Sequence, residues 1–368
     1  MKSILMTTLL LVGIWFGSLS AAPTSTIYVD ASNNRPGNGT QSNPYKKIQP
    51  GIVKAKNGNT VLVMRGTYNE AIDFLGKAIT VQSYEGPTTT IIDGTGLGQV
   101  SLVTFKNGEQ GSSVFMGFTL QDGQGSWQVL NGATVLLGGG IVCVSSSPTI
   151  SNVAIRNCNT GRGGAVAGIN GSNFVLSNSQ LTNNSATING GAVYLENSAP
   201  SLMSCIFTGN SAGHVGGAVS TRYSNPLISA CQFYNNDAAD MGGGARFGAG
   251  SSATLDRCTF QGNSSNFGGG VAAGSDTLTS TFGTVWITNS TFSGNVSPNG
   301  SELSINGNYP AYINISYSYV LGGSLPAPTS VYVQFDINTY LIWGPGMRDT
   351  PDAEFRASTI KKLVPFQS

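Results

Sequence analysis

The chain has 368 residues, 50 of them glycine, with only 10% charged residues and a formal net charge of +1 at pH 7. Such weak charge excludes the basic surface through which proteins bind nucleic acids. The length would allow two ordinary domains, but the repeats described below favour one elongated body.

The first element is a hydrophobic leader, residues 1–21. Lys2 precedes an apolar run from Ile4 to Phe16, and mostly small residues follow up to Ala22. This arrangement is typical of a cleaved secretory signal, and the run is too short to cross a bilayer comfortably. No later stretch qualifies as a membrane span. We therefore predict a secreted, extracellular protein.

Residues 22–137 are expected to form an N-terminal cap and the first coils of a repetitive fold. Short runs rich in β-branched residues, separated by turn residues, predict strands. The predicted elements are strands at 27–30, 60–65, 78–81 and 90–94, a short helix at 45–56 and a turn at 66–70. A helix at the end of a repetitive sheet would cover its open edge and prevent end-to-end pairing.

Residues 138–300 carry a repeat of about 26 residues. Glycine pairs begin at Gly138, Gly163, Gly190, Gly216, Gly242 and Gly268, at steps of 25, 27, 26, 26 and 26 residues. A second mark, Phe-x-x-Asn, begins at Phe207, Phe233, Phe260 and Phe292 with a similar period. A fixed period of this length indicates a stacked-repeat architecture.

Alignment of the repeats produces apolar columns. Five residues before the Phe position lie Leu176, Leu202, Ile228, Leu255 and Ile287, and after the glycine pairs lie Val166, Val193, Val219, Ala245 and Val271. Three short strands and their turns fill 26 residues, and each coil should then return about 4.8 Å above its start. The sequence therefore predicts an all-β fold, a parallel β-helix with three strands per coil, right-handed by the crossover preference.

The asparagines of the repeat are interpreted as structural. The column comprises Asn157, Asn184, Asn210, Asn236, Asn263 and Asn295. Asparagine tolerates the left-handed backbone of a tight corner, and its amide can hydrogen-bond to the same residue one coil away. Glycine pairs would allow a positive φ or a close backbone approach at the opposite corner.

The cysteines show the same periodicity. Cys205, Cys231 and Cys258 each lie two residues before the Phe mark, and Ser179 and Ser290 continue the column. Since stacked positions are about 4.8 Å apart and disulfides need Cβ atoms at about 3.8 Å, we expect a ladder of free thiols. Cys143 and Cys158 lie in other columns, and the sequence leaves open whether they pair.

Residues 301–368 are expected to hold the last strands and an irregular C-terminal cap or tail. The segments 312–319 and 331–343 alternate like strands and are rich in aromatic residues: Tyr309, Tyr312, Tyr317, Tyr319, Tyr332, Tyr340 and Trp343. They could close the last coil, or form an aromatic platform for sugar rings.

Two resemblances follow from these residues. The N-terminal segment from Ile27 through Gly66-x-Tyr68-x-Glu70 to Gly94 resembles the cap of pectin-lyase-like β-helix proteins, and pectin methylesterases carry a similar Gly-x-Tyr-x-Glu. The Gly-Gly-Ala-Val and Phe-x-x-Asn marks between about 138 and 295 resemble the repeats of bacterial polymorphic outer-membrane proteins, which are surface adhesins. The first resemblance implies a pectin-lyase-like fold, and the second implies adhesion.

The repeat register suggests which polar side chains are neighbours. Glu196 and Arg222 should be adjacent, and Tyr194 and Arg246 share one column, so these four could form a polar patch. His214 and Asp240 should also stack in one turn. The candidate ligand-binding residues are therefore Tyr194, Glu196, Arg222, Arg246, His214 and Asp240. A Glu–Arg pair of this kind is usually solvated, and His214 beside Asp240 favours a turn contact over acid–base chemistry.

Two functions remain open. The first is a non-catalytic β-helix that binds polysaccharide or a cell-surface glycan, as an adhesin or wall component, and needs no metal or cofactor. The second is an extracellular polysaccharide lyase or glycoside hydrolase, suggested by analogy of fold. A hydrolase needs two carboxylates across a cleft, and a lyase would need a calcium site of clustered acids. No dense carboxylate cluster occurs in the sequence, which favours the first. Catalytic residues and oligomeric state are not predicted.

Overall fold

The computed structural model describes residues 25–248, 250–274, 283–305, 311–321, 332–335 and 340–342. The predicted signal segment, Tyr309 and Trp343 lie outside these residues. Within the described ranges, a single short helix, α1 (Ile48–Lys54), accompanies 38 short strands.

The strands follow one another in chain order, each only a few residues long. The N-terminal strands are β1 (Thr26–Val29), β2 (Thr60–Val63), β3 (Gly66–Tyr68), β4 (Ile72–Asp73), β5 (Thr80–Ser83), β6 (Thr90–Asp93), β7 (Val103–Phe105), β8 (Val114–Met116), β9 (Thr119–Gln121), β10 (Ser126–Leu130) and β11 (Ala133–Leu137). The next are β12 (Ile141–Val144), β13 (Thr149–Ser151), β14 (Ala154–Arg156), β15 (Asn159–Arg162), β16 (Val166–Ile169), β17 (Val175–Ser177), β18 (Gln180–Thr182), β19 (Ser185–Asn189), β20 (Val193–Glu196), β21 (Ser201–Met203), β22 (Ile206–Thr208), β23 (Ser211–Ala212), β24 (Val219–Arg222) and β25 (Leu227–Ser229). The last are β26 (Gln232–Tyr234), β27 (Asp237–Ala238), β28 (Ala245–Phe247), β29 (Ser252–Asp256), β30 (Thr259–Gln261), β31 (Val271–Ala273), β32 (Gly283–Thr288), β33 (Thr291–Ser293), β34 (Leu303–Ile305), β35 (Ala311–Ser316), β36 (Tyr319–Leu321), β37 (Tyr332–Phe335) and β38 (Tyr340–Ile342).

These strands form four sheets that run along the coil stack. Sheet I has the order β1-β2-β5-β8-β13-β17-β21-β25-β29-β32-β35-β37, and sheet II has β3-β6-β9-β14-β18-β22-β26-β30-β33-β36-β38. Sheet III has β4-β7-β12-β16-β20-β24-β28-β31-β34, and sheet IV has β10-β11-β15-β19-β23-β27. The three predicted faces are sheets I, II and III, and the pairing is parallel throughout them, as predicted. Sheet IV is an addition, because the middle coils form a short fourth strand at one corner.

The predicted columns are in register. Phe207, Phe233, Phe260 and Phe292 stack face to face, with ring centroids 4.7, 4.4 and 4.9 Å apart and interplanar angles of 7° or less. All four are fully buried. Leu202 pairs with Ile228 and Val193 with Val219, also as predicted. Because identical side chains meet at strand spacing, the core is a set of parallel ladders.

The asparagine column forms a buried hydrogen-bond ladder. The Nδ2 of Asn184, Asn210, Asn236 and Asn263 donates to the Oδ1 of the next asparagine at 3.0, 2.9, 2.9 and 2.8 Å. One member was assigned wrongly from the sequence: Cys158, and not Asn157, occupies the first position, where its backbone N–H donates to Asn184 Oδ1. Asn157 lies one residue earlier, at the corner itself.

The expected left-handed backbone is found at Asn157 but was wrong for the other five asparagines of the predicted column. The positive φ is held by the residue before Cys158 and before each ladder asparagine: Asn157, Asn183, Gly209, Asn235, Gly262 and Gly294. The corner residue turns the chain, and the next side chain then points inward. At the opposite corner the first glycine of each pair has a positive φ, for example +67° at Gly163, and the second permits close approach, since a Cβ at Gly164 would lie 2.1 Å from Gly191 O.

The thiol ladder is confirmed. All five cysteines are free and buried, so Cys143 and Cys158 do not pair. Burial raises the pKa of Cys158 and of Cys258 to about 12, which keeps these thiols protonated.

The N-terminal cap gives the Gly-x-Tyr-x-Glu segment a structural role. The Glu70 carboxylate accepts the backbone N–H groups of Ile48 (2.7 Å) and Gln49 (3.0 Å), the first residues of α1. Lys47, which precedes the helix, makes no side-chain cap. Glu70 therefore satisfies donors that a helix start leaves unpaired. Residues 66–68, expected in a turn, form β3 because they pair with β6.

Candidate functional site

An antiparallel hairpin interrupts the parallel coils. Strands β10 and β11 pair from Ser126↔Leu137 to Leu130↔Ala133 around the dipeptide Asn131-Gly132. Both turn residues have a positive φ, 51° and 79°, which is the backbone of a type I′ turn. Sequence analysis missed this hairpin, although an Asn-Gly pair between two apolar runs is the strongest short-range hairpin signal.

The hairpin covers the outer face of sheet III. Its Leu130 and Leu137 are buried against a cluster on that face: Val142, Ala167, Ile169 and Tyr194. Every second side chain of β12, β16 and β20 points outward here, away from the core of the coil. The hairpin thus converts an outward face into a second apolar layer.

Glu196, at the end of β20, lies beneath the tip of the hairpin. Its carboxylate is fully buried and accepts hydrogen bonds from Asn131 Nδ2 at 2.6 Å, Tyr194 Oη at 2.5 Å and Arg222 Nη1 at 3.3 Å. Burial, together with the charge of Glu196, raises the pKa of Tyr194, so its hydroxyl stays a donor. We call Glu196, Tyr194 and Asn131 the tip anchor.

A cleft of about 630 Å³ opens beside the hairpin. Strand β10 contributes Trp127, and the facing coils contribute Asp122, Asn159, Arg162 and Ile188. Its volume falls within the usual range for small-molecule and sugar sites. The cleft therefore combines an apolar wall with amide, carboxylate and guanidinium groups.

Trp127 is the one aromatic side chain among the described residues that line the cleft, and it is 54% exposed. Its indole N–H donates to Gln99 Oε1 at 2.9 Å, which fixes the orientation of the ring. A ring held by its edge can present a face to a ligand.

Arg162 connects the cleft to the tip anchor. It lines the cleft, its guanidinium carbon lies 5.3 Å from the centroid of the Tyr194 ring, and its Nη1 donates to Tyr194 Oη at 3.4 Å. A guanidinium over an aromatic face gains cation–π attraction. Arg162 is therefore held between the cleft and the buried cluster.

The residues suggested by the repeat register lie on one sheet, but their setting differs from the expectation. Glu196 and Arg222 are paired in register, whereas Arg246 lies two coils beyond Tyr194, with Ser220 between them. Glu196 is completely buried and Arg222 is 37% exposed, so the pair is not a solvated one. Arg246 is also buried. Only Arg222 of this group reaches solvent substantially.

His214 and Asp240 stack on a turn, as the register predicts. His214 Nε2 lies 3.5 Å from Asp240 Oδ2, and both side chains are partly exposed. The backbone N–H of His214 donates to Ile188 O, and that of Asp240 donates to His214 O. His214 therefore lies one coil beyond Ile188 of the cleft wall, and Asp240 lies two coils beyond it. Their role as ligand-binding residues stays a prediction.

The aromatic residues near the C-terminus lie on continuing coils. Tyr312 belongs to β35 and Tyr319 to β36, and they are 36% and 47% exposed, while Tyr317 at the corner between them is 58% exposed. Tyr332 and Tyr340 lie in β37 and β38, in register with Tyr312 and Tyr319. Strands are thus found within both predicted segments, and sheets I and II extend to them.

Two general features concern metals and membranes. Among the residues that the structure describes, no three His, Cys, Asp or Glu side chains come together as a possible metal site. Over the same stretches of chain, no helix is long and apolar enough to cross a bilayer.

Comparison with known proteins agrees with this architecture. Residues 137–324, just over half of the chain, match the family described as "Right handed beta helix region", and the chain belongs to this family. The coils are therefore right-handed, as predicted. No curated protein matches the sequence.

Several solved structures are similar in fold. Pectate lyase Pel9A matches at 14% identity with a TM-score of 0.48, over 87% of this chain and 79% of its own. A rhamnogalacturonan lyase matches at 13% identity and 0.41, over 92% and 87%. A family 28 exopolygalacturonase of Yersinia enterocolitica matches at 10% identity and 0.43, over 87% and 75%. The family match confirms the predicted right-handed β-helix, whereas the resemblance to adhesin repeats stays a prediction.

Proposed function

We propose that the protein is a secreted, non-catalytic β-helix that binds a polysaccharide or a cell-surface glycan in the cleft beside the β10–β11 hairpin. The half-exposed indole of Trp127, fixed through its N–H by Gln99, is the observation that carries this proposal. Sugar rings have apolar faces that stack on aromatic rings, and their hydroxyl groups need nearby polar partners.

The other walls of the cleft supply those partners. Asn159 offers both a donor and an acceptor, Asp122 accepts only, and Arg162 donates only. Such a mixture suits hydroxyl groups, which both donate and accept. We expect binding without metal ions, so EDTA should leave it unchanged.

A direct test compares two tryptophans of equal exposure. Trp127 is 54% exposed in the cleft and Trp286 is 53% exposed on sheet I, a different face. The wild type, Trp127→Ala and Trp286→Ala would be incubated with a panel of insoluble neutral and acidic glycans. Binding would be measured as the fraction of protein that sediments with each glycan. Loss of one stacking contact should weaken binding about tenfold or more in Trp127→Ala only.

Three outcomes would contradict the proposal. The wild type could bind none of the glycans, both variants could bind equally, or Trp286→Ala alone could lose binding. Release of reducing or unsaturated ends during incubation would instead support the lyase or hydrolase hypothesis. Asp122 is the single carboxylate among the described residues that line the cleft, whereas hydrolysis ordinarily uses two.

A further inference from the structure

The fully buried Glu196 lies outside the cleft but contacts the tip of the element that builds it. Its partner Asn131 is 65 residues away in sequence, and the two join the hairpin turn to the end of β20 at 2.6 Å. A carboxylate out of contact with water must be compensated by donors, and Glu196 has three. The carboxylate of Glu196 therefore depends on these three donors, one of which belongs to the hairpin turn.

The hairpin is attached to the coils at both ends. Leu137, at the base, pairs with Arg162 of β15, and both Leu137 and Leu130, which adjoins the turn, pack on sheet III. A two-stranded hairpin by itself is marginally stable in water. The bond between Asn131 and Glu196 is thus the polar contact that holds the far end against the coils.

The same carboxylate acts on the opposite wall of the cleft. Tyr194 donates its hydroxyl proton to Glu196 and accepts a hydrogen bond from Arg162, whose guanidinium also stacks on its ring. A displacement of Glu196 would therefore change both walls: the hairpin that carries Trp127 and the side chain of Arg162.

We propose that Glu196 is the positioning residue of the cleft, which fastens the hairpin tip through Asn131 and orients Arg162 through Tyr194. The expected effect of Glu196 on glycan affinity rests on the proposed function. Its role in fastening the hairpin tip to the coils does not. These two roles are separable by experiment.

The test uses two variants and a control. Glu196→Leu keeps most of the buried volume but removes both oxygens, which accept from Asn131 and from Tyr194. Asn131→Gly removes the amide while keeping a residue that adopts the positive φ of the turn. Glu85→Gln, at an exposed carboxylate that belongs neither to the hairpin nor to the cleft, is the control.

The measurement is hydrogen exchange of peptides from residues 126–137, with peptides of β16 and β20 as internal reference. Both variants should raise exchange of the hairpin by about tenfold or more while the reference peptides stay protected. The affinity for the glycan retained by the wild type should fall in both, with an unchanged thermal midpoint. The control should match the wild type in all three readouts.

Unchanged hairpin exchange in both variants would overturn the proposal, as would faster exchange throughout the coils, which would show a purely global role. A freely exchanging hairpin with undiminished affinity would overturn the positioning of the cleft. If the wild type binds no glycan, the proposed function fails, and the exchange data still decide whether Glu196 fastens the hairpin.

Discussion

Replacement of Asn236 by alanine should destabilise the protein by at least about 2 kcal/mol. Asn236 lies in the middle of the buried ladder and is fully enclosed. Its Nδ2 donates to Asn263 Oδ1 and to Phe207 O, both at 2.9 Å. Its Oδ1 accepts the backbone N–H of Asn210 at 3.0 Å and the Asn210 amide at 2.9 Å.

The size of this destabilisation follows from the number of buried polar groups that would lose their hydrogen-bond partner in the alanine variant. Asn263 Oδ1 keeps a donor, the backbone N–H of residue 236 itself. The Asn210 N–H and one Asn210 amide hydrogen would lose theirs. Each buried polar group left without a partner costs about 1–3 kcal/mol, so two cost about 2 kcal/mol or more.

The assay is urea denaturation followed by circular dichroism, with Gln232→Ala as the control. Gln232 is an exposed amide in the same coil, and its loss should change the free energy of unfolding by less than about 0.5 kcal/mol. Equal midpoints for the two variants would refute the account of the ladder as a source of stability.

Three further predictions concern the core, the last rung of the ladder and the cap. Phe233→Ala should cost about 3–5 kcal/mol in urea denaturation, because its buried ring stacks on both neighbours, and a cost near that of Gln232→Ala would contradict this. Burial raises the pKa of Glu302, which accepts a hydrogen bond from Asn295, from 4.5 to about 7. The folded protein thus retains a proton that the unfolded chain loses above about pH 4.5. The contribution of Glu302 to stability is therefore greatest below that pH and falls by up to about 3 kcal/mol as the pH rises to 7. Glu302→Gln should flatten this region of the stability profile, and an unchanged profile would disprove the assignment. Glu70→Ala should lower stability by about 0.5–2 kcal/mol through loss of the α1 cap, with Glu70→Gln intermediate in the same denaturation assay; wild-type stability in both would contradict the cap.

Much of the fold was predictable because a β-helix repeats its contacts at a fixed sequence interval. Alignment of Phe207, Phe233 and Phe260 also defines the neighbours of the remaining residues of the coil on adjacent coils. Glu196 beside Arg222 is one such pair. The errors concern offsets of one residue. Asn157 carries the residue type of the ladder but occupies the preceding corner, and pattern alone does not separate an inward asparagine from one that turns the chain.

The candidate site was less accessible, because it depends on a non-repeating segment. Trp127 and Asn131 belong to a hairpin between coils, which no column of the repeat includes. Its Asn-Gly turn could have been found locally, but the face on which it packs could not. Glu196 was therefore expected to be solvated, whereas the hairpin buries it.

The sequence by itself determined the coil: its period, its inward columns, its free thiols and its stacked pairs. It did so because strand spacing brings residues about 26 positions apart into contact. Tertiary structure alone decided which outward face is covered and where a cleft opens. Those features result from packing of a single hairpin on sheet III, a contact between residues 65 positions apart that follows no repeat.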